Sequence, residues 1–513
     1  MTPTQRADPL SRLNYDCVNV LLGHLDLQDL AHAEQLNRAW KAQVQQWMSK
    51  QGLVNHFPEL WKDMKATGKA AQDEGKLLPL FKQHASEVLY NRRIKAGKPV
   101  WVQEYPAPQI TLRFQSAGDF MAWQCKDGLY YQRIAPKGNT GATSPHQVKK
   151  LDIQVTFAHE VNLLMHPSGL LLLVARNLPG RTVPRMVTPN DSKYTEHVFD
   201  LDTGKQLWSR RLPNGYTNSF GTYLSNRSPI AMGWDRLYRY GRVPETLEAF
   251  DLRTGTLLYS VPMETRLHAT SNTPQSCVWR IQGRDMIMAF NHDKDAGGFF
   301  LQTLKMVLMD AETGRVVQTL PIEMTARENP DMRVSTRPGE LAFALLSEEG
   351  FWTGAQKTVI EMFYYDGVTG MFKGRGIEHV DWLGREAQWF RYGSRTKRDY
   401  DPFRRLAIGW DMQNHYYFVQ PFDGEVKPTP LSRPGHPSPG IHAGAGPVVN
   451  NPPLGRDRYK NGFVHLTNKR LVIRIRGDDQ PRGMTTVVVD FGSAPVVSSQ
   501  LEHPACCVVA SFR

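Results

Sequence analysis

Between Leu13 and Lys41 the apolar residues of this chain recur at helical spacing. Cys17, Leu21 and Leu25 fall on every fourth residue, and Val18 and Leu22 form a second row beside them. Together they make one broad apolar stripe on a helix of about three turns. Asn14 can cap the start of that helix with its side-chain oxygen. Asp26 can cap the next one, with Asp29 in its first turn, where an acid is favoured. Leu27 and Leu30 continue the apolar surface, and Ala33, Leu36, Trp40 and Val44 follow at steps of 3, 4 and 4. That is again a helical face. A unit of about 30 residues cannot bury a self-sufficient core, so these stripes must pack on the rest of the chain or on another protein.

Helical character continues beyond this unit (residues 13–46). Trp47, Leu53, Phe57, Leu60 and Trp61 supply apolar positions, and Leu77–Tyr90 predicts a further helix, so residues 47–98 read as a stiff helical linker. From Pro99 the period changes. Short β-like runs separated by Gly, Pro, Asn and Asp take over, among them Phe120–Cys125, Leu129–Ile134, Leu170–Ala175, Val359–Tyr365, His415–Val419, Phe463–Thr467 and Leu471–Ile475. Such runs predict many short strands.

A unit recurs among those strands: VFDLDTGKQLW from Val198, AFDLRTGTLLY from Ala249, LMDAETGRVVQ from Leu308 and YYDGVTGMFKG from Tyr364, with a degenerate PFDGEV from Pro421. Its physics is that of a tight hairpin. An apolar strand ends on an Asp whose carboxylate can bond backbone N–H groups two or three residues on, and a Gly then takes the left-handed conformation that a bulged hairpin needs. Gly204, Gly255, Gly314 and Gly370 are 51, 59 and 56 residues apart, and Gly424 lies 54 further on. One hairpin per interval, with room for two more strands, is the arithmetic of a four-stranded propeller blade. The predicted fold class is therefore α+β and multidomain. A flexible leader (1–12), a small all-α unit and a helical linker precede an all-β propeller of about seven or eight blades over residues 99–513. An array of β-sandwiches is the structural alternative. The Pro/Gly-rich stretch 428–453 reads as a long inter-strand loop.

Composition narrows the function classes. A hydrophobic fraction of 41% with 12 Trp supports a large core. The longest apolar runs are strand-sized, so no membrane span is expected, and MTPTQRADPL lacks the apolar run of a secretory leader. Five scattered cysteines make no disulfide framework, so the expected setting is reducing, cytoplasmic or nuclear. Of the net charge of +12, none comes from residues 1–50, where five Lys or Arg balance five Asp or Glu. The basic excess lies after residue 50 and favours acidic or phosphorylated partners over basic ones.

Candidate chemistry is sparse. His159-Glu160 lacks the second histidine of a zinc-peptidase helix, and Asp490-Phe491-Gly492 lacks the other parts of a kinase and reads as one more hairpin. Cys506 and Cys507 sit in an apolar run and read as buried thiols. No cofactor and no metal is expected. Two basic–aromatic groups are candidate contacts for an acidic or phosphorylated protein: Arg391, Arg395, Arg398, Arg404 and Arg405 around Tyr392, Tyr400 and Phe403, and Arg236, Arg239 and Arg242 in WDRLYRYGR. Forked guanidiniums suit carboxylate and phosphate groups. The bland reading of each group is a solvated loop between blades.

The N-terminal run resembles an F-box. In one ungapped register Leu13, Asp16, Val18, Leu21, Leu22, Leu25, Asp26, Asp29, Leu30, Leu36, Arg38 and Trp40 match the family's order. Asn14 and Leu27 stand where that family has proline, and Cys17 where it has isoleucine or leucine. HFPELWKDM resembles the helical segment that often follows an F-box. The Asp-x-x-Thr-Gly hairpins resemble blades of WD-repeat and quinoprotein-like propellers, although Trp234-Asp235 and Trp410-Asp411 lie out of the usual place of the Trp-Asp signature. The resemblance implies a non-catalytic substrate receptor of a ubiquitin ligase. Leu13, Val18, Leu21, Leu22, Leu25, Leu30, Leu36 and Trp40 would dock a Skp-type adaptor and through it a cullin, some of them also holding the helices together. The propeller would then bind the protein to be ubiquitinated. A scaffold, or a propeller binding RNA or acidic peptides with a helical cap, is the alternative, and a quinoprotein-like enzyme is a third.

Overall fold

Three side-chain caps set the register of the N-terminal helices. Asn14 Oδ1 accepts the Cys17 N–H at 2.8 Å and starts α1 (Tyr15–His24). Asp26 Oδ1 accepts the Gln28 and Asp29 N–H groups, both at 2.8 Å, and starts α2 (Leu27–Leu36). Asn37 Oδ1 accepts the Trp40 N–H at 2.9 Å and starts α3 (Arg38–Trp47). Each cap satisfies donors that have no carbonyl inside the helix. A π turn at Met48–Gly52 leads into α4 (Leu53–His56), followed by α5 (Pro58–Ala66) and α6 (Leu77–Lys95). The computed structural model describes residues 13–66, 74–107, 112–134, 147–153, 155, 161–176, 194–211, 230–240, 245–265, 276–292, 303–325, 330–335, 337, 340–349, 357–381, 398–411, 416–422, 429–431, 459–466, 470–477 and 484–492.

One hydrophobic cluster joins these helices. Val18, Leu22, Leu30, Val44, Trp47 and Phe81 are buried in it together. The stretch 13–46 and much of the segment predicted as linker therefore share a core. The chain divides into two compact units, Met1–Ile94 with Gly492–Val496 and Lys95–Phe491 with Val497–Arg513. No described helix is long and apolar enough to cross a membrane.

The second unit contains seven four-stranded antiparallel sheets among its described residues. From inner to outer strand, blade 1 is Leu112–Ala117, Phe120–Cys125, Gly128–Arg133 and Lys149–Lys150. Blade 2 is Val161–Met165, Leu170–Arg176, Tyr194–Asp200 and Lys205–Arg211. Blade 3 is Ile230–Met232, Arg236–Tyr240, Thr246–Asp251 and Leu257–Pro262. Blade 4 is Cys277–Ile281, Arg284–His292, Thr303–Asp310 and Val316–Thr325. Blade 5 is Asp331–Val334, Ala342–Glu349, Lys357–Asp366 and Met371–Asp381. Blade 6 is Arg398–Asp401, Leu406–Asp411, Tyr416–Pro421 and Thr429–Pro430. Blade 7 is Tyr459–Leu466, Arg470–Gly477 and Met484–Asp490, with Trp101–Ala107 as its outer strand. First strands of neighbouring blades touch, as between blades 1 and 2, 3 and 4, and 6 and 7. This is a seven-bladed propeller.

The last blade is where sequence and structure part. Asp490-Phe491-Gly492 does not open a further hairpin. Trp101 pairs with Asp490 and Ala107 with Met484, so the strand at the start of the propeller completes the blade at its end. Arg470 fastens this closure. Its guanidinium donates to Asp490 at 3.1 Å within blade 7, and to Asp119 at 3.0 Å and the Gly118 carbonyl at 3.1 Å in blade 1. A ring closed in this way leaves no blade lacking its fourth strand. A second correction concerns the stretch 428–453: Thr429–Pro430 form the outer strand of blade 6. Most of the remainder lies outside the described residues, as do PFDGEV beyond Phe422, His159-Glu160 and the Cys506-Cys507 pair.

The repeated hairpins form as the pattern predicts. The Asp200, Asp251 and Asp310 carboxylates each accept the N–H groups two and three residues on, at 2.7–3.3 Å, and Asp366 accepts the Val368 N–H at 2.9 Å. The glycines that follow have φ between 69° and 73°.

Candidate protein-docking surfaces

α1 is apolar on two sides. Val18 and Leu22 point inward and are buried, with Leu22 fully enclosed. Cys17 and Leu21, four residues apart, form a second row that faces outward, and Leu13, just before the Asn14 cap, is exposed as well. Val20 flanks it, and Leu36 at the end of α2 is 64% exposed. Of the eight predicted docking residues, Leu13, Leu21 and Leu36 are open, and Leu25 and Trp40 are half-buried against the core. Val18, Leu22 and Leu30 are committed to the unit's own interior, where they hold the short helices together. Spacing could not separate the two rows, because both obey the same helical period.

Glu34 braces this unit from α2. It accepts from Lys82 of α6 at 2.5 Å and from the Gln45 amide of α3. Partial burial opposes its ionisation, but those hydrogen bonds outweigh burial and hold the carboxyl below its ordinary value.

The arginines predicted to grip an acidic partner do not converge. Arg236 and Arg239 lie on the second strand of blade 3, while Arg404 and Arg405 lie in the first turn of blade 6. Arg239 is buried against Glu196 of blade 2, and Arg404 is buried with its guanidinium 2.6 Å from Asp401. Neither can reach a partner, because removing a paired buried charge from its site is costly. Arg405 meets Glu378 at 2.7 Å, and Arg236 meets Glu312 at 3.4 Å beside the Tyr259 ring. Arg391 and Arg395 lie outside the described residues. Arg398 begins the first strand of blade 6, and its side chain is likewise not described.

Buried polar groups serve the blades. Tyr238 of blade 3 donates to Asp285 of blade 4 at 2.6 Å, and Arg280 bridges Asp285 at 2.7 Å and Asp235 at 2.9 Å. His166, in the first turn of blade 2, packs edge-on against Trp234 of blade 3, and its Nδ1 meets the Ser168 hydroxyl at 2.7 Å. Burial holds this imidazole well below its ordinary pKa, to about 4, and the Arg253 charge adds to the effect. Among the described residues no group of His, Cys, Asp and Glu side chains is arranged to hold a metal ion.

A second exposed apolar feature lies on the propeller's outer strands. Leu207 of blade 2, Leu257 and Leu258 of blade 3, Val317 of blade 4 and Met371 of blade 5 are all exposed near the hairpin end of their strands. Val368, in the blade 5 hairpin itself, is 95% exposed. A signal for this was present in the repeats: Leu207, Leu258 and Val317 each stand three residues past the hairpin glycine.

No protein-family model matches the chain, and no curated protein matches it. Solved structures similar to it include the β-propeller domain of Cps50 (Swd1) from Myceliophteria thermophila, with a TM-score of 0.38 and 10% identity over 75% of this chain and 98% of that one. Kluyveromyces lactis Hsv2 is similar with a TM-score of 0.33 and 8% identity, over 73% of this chain and 96% of that one. A europium-containing methanol dehydrogenase is similar with a TM-score of 0.30 and 10% identity, over 76% of this chain and 93% of that one. Likeness at this level carries no argument about activity.

Proposed function

We propose that the chain is the target-recognition subunit of a cullin–RING ubiquitin ligase. Its helical unit docks a Skp-type adaptor, and its propeller holds the protein to be modified. The observation that carries this is the outward pair Cys17 and Leu21, with Leu13 before the helix and Leu36 at the end of α2, left open on a unit whose core is already closed by Val18, Leu22, Leu30 and Trp47. Apolar side chains that do not serve the fold and line up on one helix face suit a helical partner. Such a subunit supplies no catalytic group. It works by proximity, holding a substrate lysine near a charged conjugating enzyme and so raising the effective concentration of the reaction. It would act in the cytosol or the nucleus, with no cofactor of its own. A non-catalytic propeller scaffold is the alternative function.

The test is a pull-down from cell extract. Wild type retains the adaptor and the cullin, while Leu21→Lys combined with Leu36→Lys loses both and keeps the wild-type melting behaviour, since both side chains are exposed. Wild type that retains neither partner would overturn the ligase assignment in favour of the scaffold.

A further inference from the structure

The exposed apolar residues of blades 2–5 sit on a rim of outer strands that are joined blade to blade. Trp208, on the outer strand of blade 2, donates its indole N–H to the Leu252 carbonyl in the blade 3 hairpin at 3.0 Å. A Cβ on Gly255 in that hairpin would stand 2.6 Å from the Trp208 ring. Gly314, in the blade 4 hairpin, sits equally close on the outer strand of blade 3, where a Cβ would lie 2.2 Å from the Pro262 carbonyl oxygen. The outer strands of blades 4 and 5 are joined by Gln318 and Phe372. The hairpins of blades 3 and 4 thus rest on the outer strand before them. Leu207, Leu257, Leu258, Val317, Val368 and Met371 are carried at the hairpin ends of those joined outer strands.

The fold does not call for these side chains. The turn positions equivalent to Val368 in the other hairpins hold Asp202, Arg253 and Glu312. A β-branched residue gains nothing in a turn of this kind, and valine there exposes nearly its whole surface. The charges beside the apolar residues are uneven. At the hairpin end the acids are engaged: Asp202 with Arg133 at 3.2 Å, Glu312 with Arg236 at 3.4 Å, Asp366 with Lys373 at 2.5 Å, and Glu264 with the Val316 N–H at 2.7 Å. Lys205 and Arg315 are exposed and meet no acid among the described residues. Arg375 lies over the Tyr364 ring at 4.8 Å, also without one.

We propose that this rim is a docking surface for an extended protein segment in which acidic and apolar side chains are interspersed. The apolar side chains of such a segment would cover Leu207, Leu258, Val317 and Val368, and its carboxylates would meet Lys205, Arg315 and Arg375. Recognition runs through side chains and not through an added strand, because Pro262 and Pro321 interrupt the row of backbone donors on two of the four outer strands. Single-stranded nucleic acid fits less well. It needs open aromatic faces for base stacking, and Trp208 is taken up by Gly255 and by the Arg210 guanidinium 5.2 Å from its ring. The site deepens the receptor assignment above and rests on it for the propeller's role in holding a target. Its test uses no ligase component, so the two can fail separately.

The full chain is titrated against a fluorescein-labelled peptide of Glu-Leu-Ser repeats, with Glu-Ser-Ser repeats, Lys-Leu-Ser repeats and oligo(dT) as comparisons. The acidic–apolar peptide binds at least about tenfold more tightly than any of the three, a difference of about 1.4 kcal/mol. Leu207→Ser with Leu258→Ser and Val317→Ser weakens it about tenfold while the melting temperature holds. Lys205→Glu with Arg315→Glu does the same by a separate route, and its effect shrinks in high salt. Equal binding of the Glu-Ser-Ser or Lys-Leu-Ser peptide, tighter binding of oligo(dT), no binding of the acidic–apolar peptide, or full affinity in both variants would overturn the proposal.

Discussion

Gln318 of blade 4 binds the backbone of Phe372 in blade 5 at both ends of its amide. Its Nε2 donates to the Phe372 carbonyl at 2.7 Å, and its Oε1 accepts the Phe372 N–H at 2.8 Å. A side chain thus takes the place of a partner strand, since a primary amide offers a donor and an acceptor as a peptide group does. Gln318→Leu keeps the volume but leaves both backbone groups buried and unmet, at a cost of about 2–4 kcal/mol. Gln318→Glu removes the donor and sets a carboxylate against a carbonyl, so it destabilises too. The urea midpoint of the propeller's unfolding reads both, and an unshifted midpoint for Gln318→Leu would remove the joint's importance.

Two glycines separate steric from conformational cost. Gly283 has φ +79° and open space where a Cβ would be, whereas Gly314 has φ +69° and the Pro262 carbonyl oxygen 2.2 Å from that point. Gly283→Ala costs about 1 kcal/mol for the left-handed backbone alone. Gly314→Ala adds a clash with backbone that cannot swing away and costs at least about 2 kcal/mol more. Thermal unfolding of the two variants side by side measures the gap.

His166 makes the propeller acid-sensitive. Its folded pKa, held by burial at about 4, lies below the ordinary value of 6.5, so the unfolded chain takes up the proton more readily. The stability tied to the neutral ring is therefore fully present above pH 6.5 and lost as pH falls towards 4. The full difference amounts to about 3 kcal/mol. His197, also depressed by burial, adds in the same direction. Replacing His166 with Gln flattens this part of the profile. Unfolding free energy measured from about pH 7 down to about pH 4.5 for both proteins decides the matter, and parallel curves would clear His166.

The two rows of α1 differ in what they cost to cut. Leu22→Ala opens a cavity in the fully enclosed core and destabilises the helical unit by about 2–5 kcal/mol. Leu21→Ala, one residue away on the exposed row, shifts stability by about 0.5 kcal/mol or less. Helical circular dichroism followed through heating distinguishes them. Equal losses would mean that the outward row belongs to the fold after all.

Much of this architecture was legible in the residues. The caps at Asn14 and Asp26, the strands, and the Asp-led hairpins with their glycines all depend on contacts within a few residues, and local chemistry states those outright. The even spacing of Gly204, Gly255, Gly314 and Gly370 carried the propeller, because each blade repeats one short-range solution. Only the tertiary structure could decide which strand completes the last blade: Trp101 and Asp490 are separated by nearly the whole propeller sequence and meet because the ring closes. It also decided that Arg239 and Arg404 are buried ties and not open hands, since an arginine's role depends on whether a distant carboxylate reaches it. The same holds for the leucines of α1. The helical period set both rows, but the fold's need for an interior on one side left Cys17 and Leu21 facing out while it enclosed Val18 and Leu22.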